Sequence, residues 1–371
     1  MTFKGLDLSS AIVDALTEKG YQRPTAIQQQ AIPHLLDGKD IVASASTGTG
    51  KTASFCIPIL QRLSVHKSGA GIRALILTPT RELAIQVSDN LAFYGKHLSL
   101  KCAVIVGGVA QVNQVKELRS GIDILVATPG RLVDLLDQGL VSLRQVEVLV
   151  LDEADRMLDM GFINDINRLV RAMPTTRQNI FFSATMSSDV RGFVEQHATS
   201  PVYINVKSDE TKTTIQQSVY YVERESKRAL LKYVIDEHAM NTVIVFARTK
   251  YGADKIAKDL NRSGITAESF HGDKTQHARQ RALTNFKRNT TRVLVATDIA
   301  ARGIDIADLP FVINYELPQS TETYTHRIGR TGRAGQSGSA LSFCDREERG
   351  KLKNINRISR GNLTVVEHPF A

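Results

Sequence analysis

The sequence predicts two α/β domains in series, each a parallel sheet with helices on both faces. Short β-branched apolar runs alternate with amphipathic stretches of helical length, as strands buried on both sides alternate with the helices that cover them. The alternation weakens once, over the polar and aperiodic residues 207–214. A chain of 371 residues is also too long for one ordinary domain and comfortable for two. The expected division is residues 1–206, a linker 207–214, and residues 215–371 with a basic final helix.

In the first domain, Ile41–Ala45, Ala74–Thr78, Cys102–Val106, Ile122–Ala127, Val146–Leu151 and Asn179–Phe182 read as strands. Ser10–Lys19, Lys51–Leu63, Glu82–Tyr94 and Val112–Arg119 read as helices. Strands resume at Val219–Val222, Thr242–Phe246, Thr266–Phe270, Arg292–Ala296 and Phe311–Tyr315.

Composition excludes several classes. Hydrophobic residues make up 42% and charged residues 23%, enough for two cores and a solvated surface. The apolar runs are strand-length and too short to span a bilayer. The opening residues lack the apolar core of a signal peptide, so a cytoplasmic protein without membrane contact is expected. Cys56, Cys102 and Cys344 are scattered among apolar neighbours and suit small core residues rather than zinc ligands. Residues 1–206 hold 20 Lys+Arg against 19 Asp+Glu, and residues 207–371 hold 27 against 19. The second half therefore carries +8 of the net +9, as a nucleic-acid-binding lobe would and as a solvated basic surface also could.

Two motifs carry the chemistry. The strand Ile41–Ala45 runs into Ala45-Ser46-Thr47-Gly48-Thr49-Gly50-Lys51-Thr52 and then a helix. Glycines let backbone N–H groups close around phosphate oxygens, and the helix N-terminus adds positive potential. Lys51 would reach the β- and γ-phosphates, and the Thr52 hydroxyl would ligate Mg²⁺. The second motif is Asp152-Glu153-Ala154-Asp155, which ends the buried run Val146–Leu151. Carboxylates there emerge at the C-terminal edge of the sheet, where ligands sit in open α/β folds. Asp152 would hold the metal, and Glu153 would orient and deprotonate the attacking water. Alone, the loop could be a plain strand-to-helix turn and the carboxylates a helix cap; together they indicate a nucleoside triphosphate site.

Further segments recur at strand ends. Gly20-Tyr21-Gln22-Arg23-Pro24-Thr25-Ala26-Ile27-Gln28 precedes the loop, with Phe3 ahead of it. Pro79-Thr80-Arg81-Glu82-Leu83-Ala84, Gly107-Gly108, Thr128-Pro129-Gly130-Arg131 and Ser183-Ala184-Thr185 each follow a strand. The second half holds Arg248-Thr249, the segment from His271-Gly272 to Arg279, the segment from Thr297 through Gly303 to Asp305, and His326-Arg327-Ile328-Gly329-Arg330-Thr331-Gly332-Arg333. Taken singly, each could be an ordinary turn or a solvated basic face.

In this order the motifs resemble the DEAD-box RNA helicases, most closely their bacterial RhlE-like group, over nearly the whole chain. The resemblance implies two tandem RecA-like domains and an RNA-stimulated ATPase that locally unwinds RNA duplexes as its domains close. It places Phe3, Tyr21, Arg23 and Gln28 at the adenine, where a carboxamide can both donate and accept. Gly303 and Asp305 join the nucleotide set. Pro79, Thr80, Arg81, Gly108, Thr128, Pro129, Arg131, Arg248, Thr249, Gly272, Arg279 and Thr297 would hold the RNA backbone. Asp155, Ser183, Thr185, His326 and Arg327 would couple the domains, and Arg330 and Arg333 would act as arginine fingers. Ser46 stands where the family usually has Gln. ATP and Mg²⁺ are the implied cofactors, RNA is the implied partner, and ribosomal or degradation machinery and action as a monomer are family-typical. A DNA helicase of the same superfamily and an RNA clamp without useful unwinding remain the alternatives.

A basic stripe near the end of the chain owes nothing to that resemblance. Arg346, Arg349, Lys353, Arg357 and Arg360 recur at intervals of three or four, on one face if helical. Glu347 and Glu348 beside it favour a solvated face; the charge asymmetry favours an auxiliary RNA anchor.

Overall fold

The apolar runs pair side by side into two parallel sheets of seven strands each. The computed structural model describes residues 2–44, 49–65, 71–206, 215–301, 304, 306, 309–332, 337–358 and 362–370. The chain divides into two compact units, Met1–Asp209 and Glu210–Ala371. The expected linker 207–214 lies outside the described residues.

In the first unit the strands are β1 (Ile41–Ser44), β2 (Ala74–Leu77), β3 (Cys102–Ile105), β4 (Ile124–Ala127), β5 (Val148–Leu151), β6 (Gln178–Ser183) and β7 (Val202–Asn205). Their order is β3-β4-β2-β5-β6-β1-β7. Successive strand side chains point to opposite faces, and here both faces are covered. Ile41, Ala43, Ile76, Val126 and Val150 pack under helices Ala26–Leu36, Lys51–Val65 and Arg81–Tyr94. Val42, Leu75, Leu125, Leu149 and Leu151 pack under helices Pro129–Asp137, Ile163–Arg171 and Ser188–His197. Each valine, leucine or isoleucine among them contributes about 1.5–3 kcal/mol by leaving water, and this fixes the register that brings the strand ends together.

The second unit repeats the plan with β8 (Ile215–Tyr221), β9 (Val243–Phe246), β10 (Ala267–Phe270), β11 (Val293–Ala296), β12 (Phe311–Asn314), β13 (Gly338–Cys344) and β14 (Leu363–Val365). Their order is β10-β11-β9-β12-β13-β8-β14. Strands β7, β13 and β14 are not anticipated by the sequence patterns. The run Gly-Ser-Ala-Leu-Ser-Phe-Cys has weak strand propensity, yet it pairs residue by residue with β8, from Gly338 opposite Ile215 to Cys344 opposite Tyr221. That pairing also starts β8 four residues before the expected Val219.

Candidate nucleotide and RNA site

The strand order sorts the functional residues of the first unit. β6 lies between β5 and β1, so Ser183-Ala184-Thr185 sits between the carboxylate end of β5 and the loop after β1. The phosphate-loop residues Ala45, Ser46, Thr47 and Gly48 lie outside the described residues. The helix that follows opens at Lys51, which is buried. Gly50 has φ +92°, and a Cβ there would stand 2.5 Å from Gln28 Nε2. Glycine is required at this point. Gln28 is itself buried; its Oε1 accepts from Thr25 N–H at 2.9 Å and its Nε2 donates to the Gly50 carbonyl at 3.2 Å. The carboxamide expected at adenine thus ties the helix Ala26–Leu36 to the end of the phosphate loop. Each of its atoms has a second hydrogen-bonding position.

Asp152 is buried, and its carboxyl is pushed up to about 7. Burial is the main cause, offset in part by Lys51 and reinforced by Glu153. Glu153 sits at φ 55°, ψ 52°, left-handed for a non-glycine residue, a conformation costing about 1–3 kcal/mol. This turn carries the chain from the end of β5 to the helix Ala154–Asp159 within two residues. The Glu153 carboxylate accepts from Arg156 Nη1 at 2.8 Å, a partner on the next helical turn that sequence reasoning left unassigned although the spacing is visible. Asp155 holds the β6 loop: its Oδ2 accepts from Ala184 N–H at 3.0 Å, Thr185 N–H at 2.8 Å and Thr185 Oγ1 at 3.0 Å. Ser183 Oγ accepts from Asp155 N–H at 3.3 Å and donates to the Thr185 carbonyl at 2.6 Å.

Phe3 is buried in the core and Arg23 is exposed. Tyr21 is partly exposed, with its ring centroid 6.3 Å from that of Tyr94 and the Lys19 ammonium 5.8 Å over its face.

On the β2-β4-β3 half of the edge, three loops are knit together. Thr80 caps the helix Arg81–Tyr94. The Arg81 guanidinium lies against Gly107 and Gly108, the latter at φ +70°. Pro129 opens the helix after Thr128, and Arg131 donates to Gln111 Oε1 at 3.2 Å and to the Val109 carbonyl at 3.4 Å. The expected nucleotide and backbone-binding residues therefore occupy adjoining halves of one sheet edge.

In the second unit, Thr249 caps the helix Lys250–Arg262, and Arg248 N–H donates to Glu316 at 2.6 Å. Asp254 gathers Ser269, His271 and Lys274. Burial pushes its carboxyl up, but hydrogen bonds from these partners outweigh it and hold the group well below the usual carboxylate range. Arg279 is buried, its guanidinium 4.9 Å over Phe270, and Thr297 N–H donates to the Phe270 carbonyl at 3.2 Å. Gly272 faces Lys250. Arg327 is buried and fork-bonded to Asp298 at 2.6 and 2.8 Å, and it also donates to Asn314 Oδ1 and the Glu316 carbonyl. It is built into its own unit as a strut. Arg330 donates to the Ile304 carbonyl at 2.7 Å, and His326 and Arg327 line a small cavity beside it. Gly303, Asp305 and Arg333 lie outside the described residues. Glu316, Asp254 and Asp298 stand 68, 15–20 and 29 residues from the groups they hold, and no local pattern announces them.

Parallel sheets with a Gly-Lys-Thr helix start after β1 and a buried carboxylate after β5, on either side of β6, define a nucleotide-binding α/β ATPase. Known proteins place it more finely. Residues 25–193 match the DEAD/DEAH box helicase family model and residues 226–335 the helicase conserved C-terminal domain. The chain is 42% identical over 369 residues to the DEAD-box ATP-dependent RNA helicase CshA of Bacillus cereus, covering 99% of this chain and 70% of that protein. It is 40% identical over 370 residues to CshA of Bacillus subtilis, covering 100% and 74%. Among solved structures, S. cerevisiae Dbp5 bound to RNA and ADP BeF3 aligns with a TM-score of 0.86 at 30% identity, covering 98% and 95% of the two chains. A DEAD box protein from Methanococcus jannaschii aligns at 0.56 and 39%, covering 99% of each. The chain belongs to the DEAD-box ATP-dependent RNA helicases, and its fold is two tandem RecA-like domains. It is an ATP-hydrolysing enzyme acting on RNA.

Proposed function

We propose that residues 1–206 hold ATP and one segment of RNA backbone, and that residues 215–371 hold a further segment and supply the arginines that promote hydrolysis. The observation that carries this is the β5 edge, where Asp152, Glu153 and Asp155 adjoin Lys51 and the Ser183-Ala184-Thr185 loop.

In this reading Gln28 and Tyr21 recognise adenine, with Phe3 and Arg23 supporting them, and Lys51 binds phosphate oxygens. Magnesium fits the residues present: Asp152 is a buried carboxylate whose ionised form is costly without a cation, and the Thr52 hydroxyl is a second hard oxygen. When bound, the ion would neutralise phosphate charge. Glu153 orients and deprotonates the attacking water, a role contributing typically about 10²–10⁴-fold; its pairing with Arg156 holds the carboxylate in place until then. The Asp155 hydrogen bonds give the β6 loop a direct link to the hydrolytic strand. Thr80, Arg81, Gly108, Thr128, Pro129 and Arg131, and in the second unit Arg248, Thr249, Gly272, Arg279 and Thr297, hold phosphates and sugar hydroxyls without reading bases. Arg330 and Arg333 act on the γ-phosphate with Asp305 and Gly303 on the nucleotide, an assignment carried by the motif resemblance. The RhlE-like grouping rests on that same resemblance. Action as a cytoplasmic monomer, with ribosomal or RNA-degrading machinery as partners, completes the proposal. Among the described residues no helix is long and apolar enough to cross a membrane.

ATP turnover without nucleic acid, with RNA and with matched DNA tests this, on the wild type and on Glu153→Gln. RNA alone should stimulate the wild type strongly, and the variant should bind ATP and RNA while turnover nearly stops. Near wild-type turnover in the variant removes Glu153 from the role. Equal stimulation by DNA removes RNA specificity.

A further inference from the structure

We infer that the surface of the helix Arg349–Ile358, with Tyr221 beside it, is a second and sequence-independent RNA-binding surface, apart from the loops of the sheet edge. The inference rests on the RNA-binding reading above and extends it to residues outside every helicase motif.

The sequence leaves the stripe undecided because two glutamates dilute it. The structure removes one of them. Glu348 is buried; its Oε2 meets Lys227 Nζ at 2.5 Å and its Oε1 accepts Leu317 N–H at 2.9 Å. Its carboxylate is turned inside the unit, paired with a Lys227 ammonium that it shares with Asp345, so it does not project onto the basic surface. Leu352 and Ile355 are buried in a cluster with Val219, Leu317 and Tyr324, and this fixes the rotation of the helix. At about 100° per residue, Arg349, Lys353 and Arg357 then share an arc of about 80° on the outer side, and all three are exposed. Arg346 is exposed and paired with Glu223 at 2.8 Å, Lys351 is half-buried, and Glu347 is the one exposed acid among residues 346–358. Arg360 lies outside the described residues.

An aromatic completes the surface. The Arg349 guanidinium lies 5.6 Å over the Tyr221 ring, which is 40% exposed although it ends a strand of the sheet. A planar cation on an exposed ring, with further cations along a rigid helix, is what binds single strands without reading sequence: phosphates meet the charges and bases stack on the planes. The placement keeps it distinct from the loops of the sheet edge. The helix packs beneath β8 and β13, whereas Arg248, Gly272, Arg279 and Thr297 follow β9, β10 and β11 on the other half of the sheet.

The test changes Arg349, Lys353 and Arg357 together to Gln, which preserves helix propensity and leaves Leu352 and Ile355 in place. Affinity is measured against salt for a short RNA that reaches only the sheet-edge loops and for a longer single strand, with thermal unfolding as the folding control. The log–log slope for the longer RNA should fall by about 2, at roughly 0.7 for each phosphate that is no longer neutralised. The slope for the short RNA and turnover at saturating RNA should not change. Tyr221→Ala should weaken the longer RNA at every salt concentration without changing the slope. An unchanged slope in the folded triple variant overturns the inference. So does binding of the wild type to phosphatidylserine vesicles that the triple variant loses while its RNA slopes stay the same. Absence of any RNA-stimulated turnover in the wild type would instead refute the underlying RNA reading.

Discussion

Replacing Asp155 by alanine probes the link between the hydrolytic strand and the β6 loop. Four donors point at this carboxylate: Ala184 N–H, Thr185 N–H and Thr185 Oγ1 on Oδ2, and Arg156 N–H on Oδ1. A hydrogen bond to a charged group contributes about 1.5–3 kcal/mol, but three donors sharing one oxygen are not additive. Ala184 is also exposed and Thr185 half-buried, so water replaces part of what is removed. The local cost is therefore about 2–4 kcal/mol rather than the full sum. Asp155→Asn keeps an acceptor oxygen without the charge and should cost about half as much. The assay is native-state hydrogen exchange at the Ala184 and Thr185 amides, which reads the loop without assuming that both units unfold together. Protection in Asp155→Ala should drop by about 30- to 700-fold, at tenfold per 1.4 kcal/mol, with the amides of β3 and β4 unaffected. Unchanged protection of Thr185 would show that the loop is held by something other than this carboxylate.

Other outcomes follow from the same geometry. Gln28→Ala removes the tie between Thr25 and Gly50; ATP affinity should fall and preference over GTP shrink by about 1–3 kcal/mol, an expectation ended if the wild type uses ATP and GTP equally. Gly108→Ala places a Cβ at φ +70° on top of Arg81 Nη1; RNA affinity should drop while ATP binding without RNA is unchanged, and equal RNA affinity would show that Arg81 moves aside freely. Lys227→Met leaves Glu348 and Asp345 without their shared cation and should destabilise the second unit by about 3–5 kcal/mol, read by urea unfolding. Burial pushes the Asp345 carboxyl up, but the hydrogen bond and charge of Lys227 outweigh it and hold the group below its ordinary value. A depressed folded pKa stabilises fully above the unfolded value near about 4 and is lost as pH falls below it. The melting temperature of the wild type should thus fall more steeply below about pH 4 than that of Asp345→Asn, and parallel acid limbs would contradict the assignment.

Much of the fold was legible because its signals are local. Continuous apolar runs such as Val148–Leu151 are strands under almost any packing, and the glycine-rich loop before Lys51 has meaning only between a strand and a helix. The motif order likewise identified the family without coordinates. β13 was missed because Gly338 and the serines near it carry no strand signal; partners on both sides, β12 and β8, impose its conformation.

What the sequence determined by itself is the class of most elements and the two-domain plan, which periodicity along the chain encodes, and the order of motifs that marks the family. The tertiary structure alone decided which charge meets which. It joined Lys227 to Glu348 across 121 residues, set Asp155 against the Ser183-Ala184-Thr185 loop, and built Arg327 into its own unit through Asp298. Ion pairs and hydrogen bonds act over a few ångströms in space, and only the packed sheets bring residues so far apart in the chain within that range.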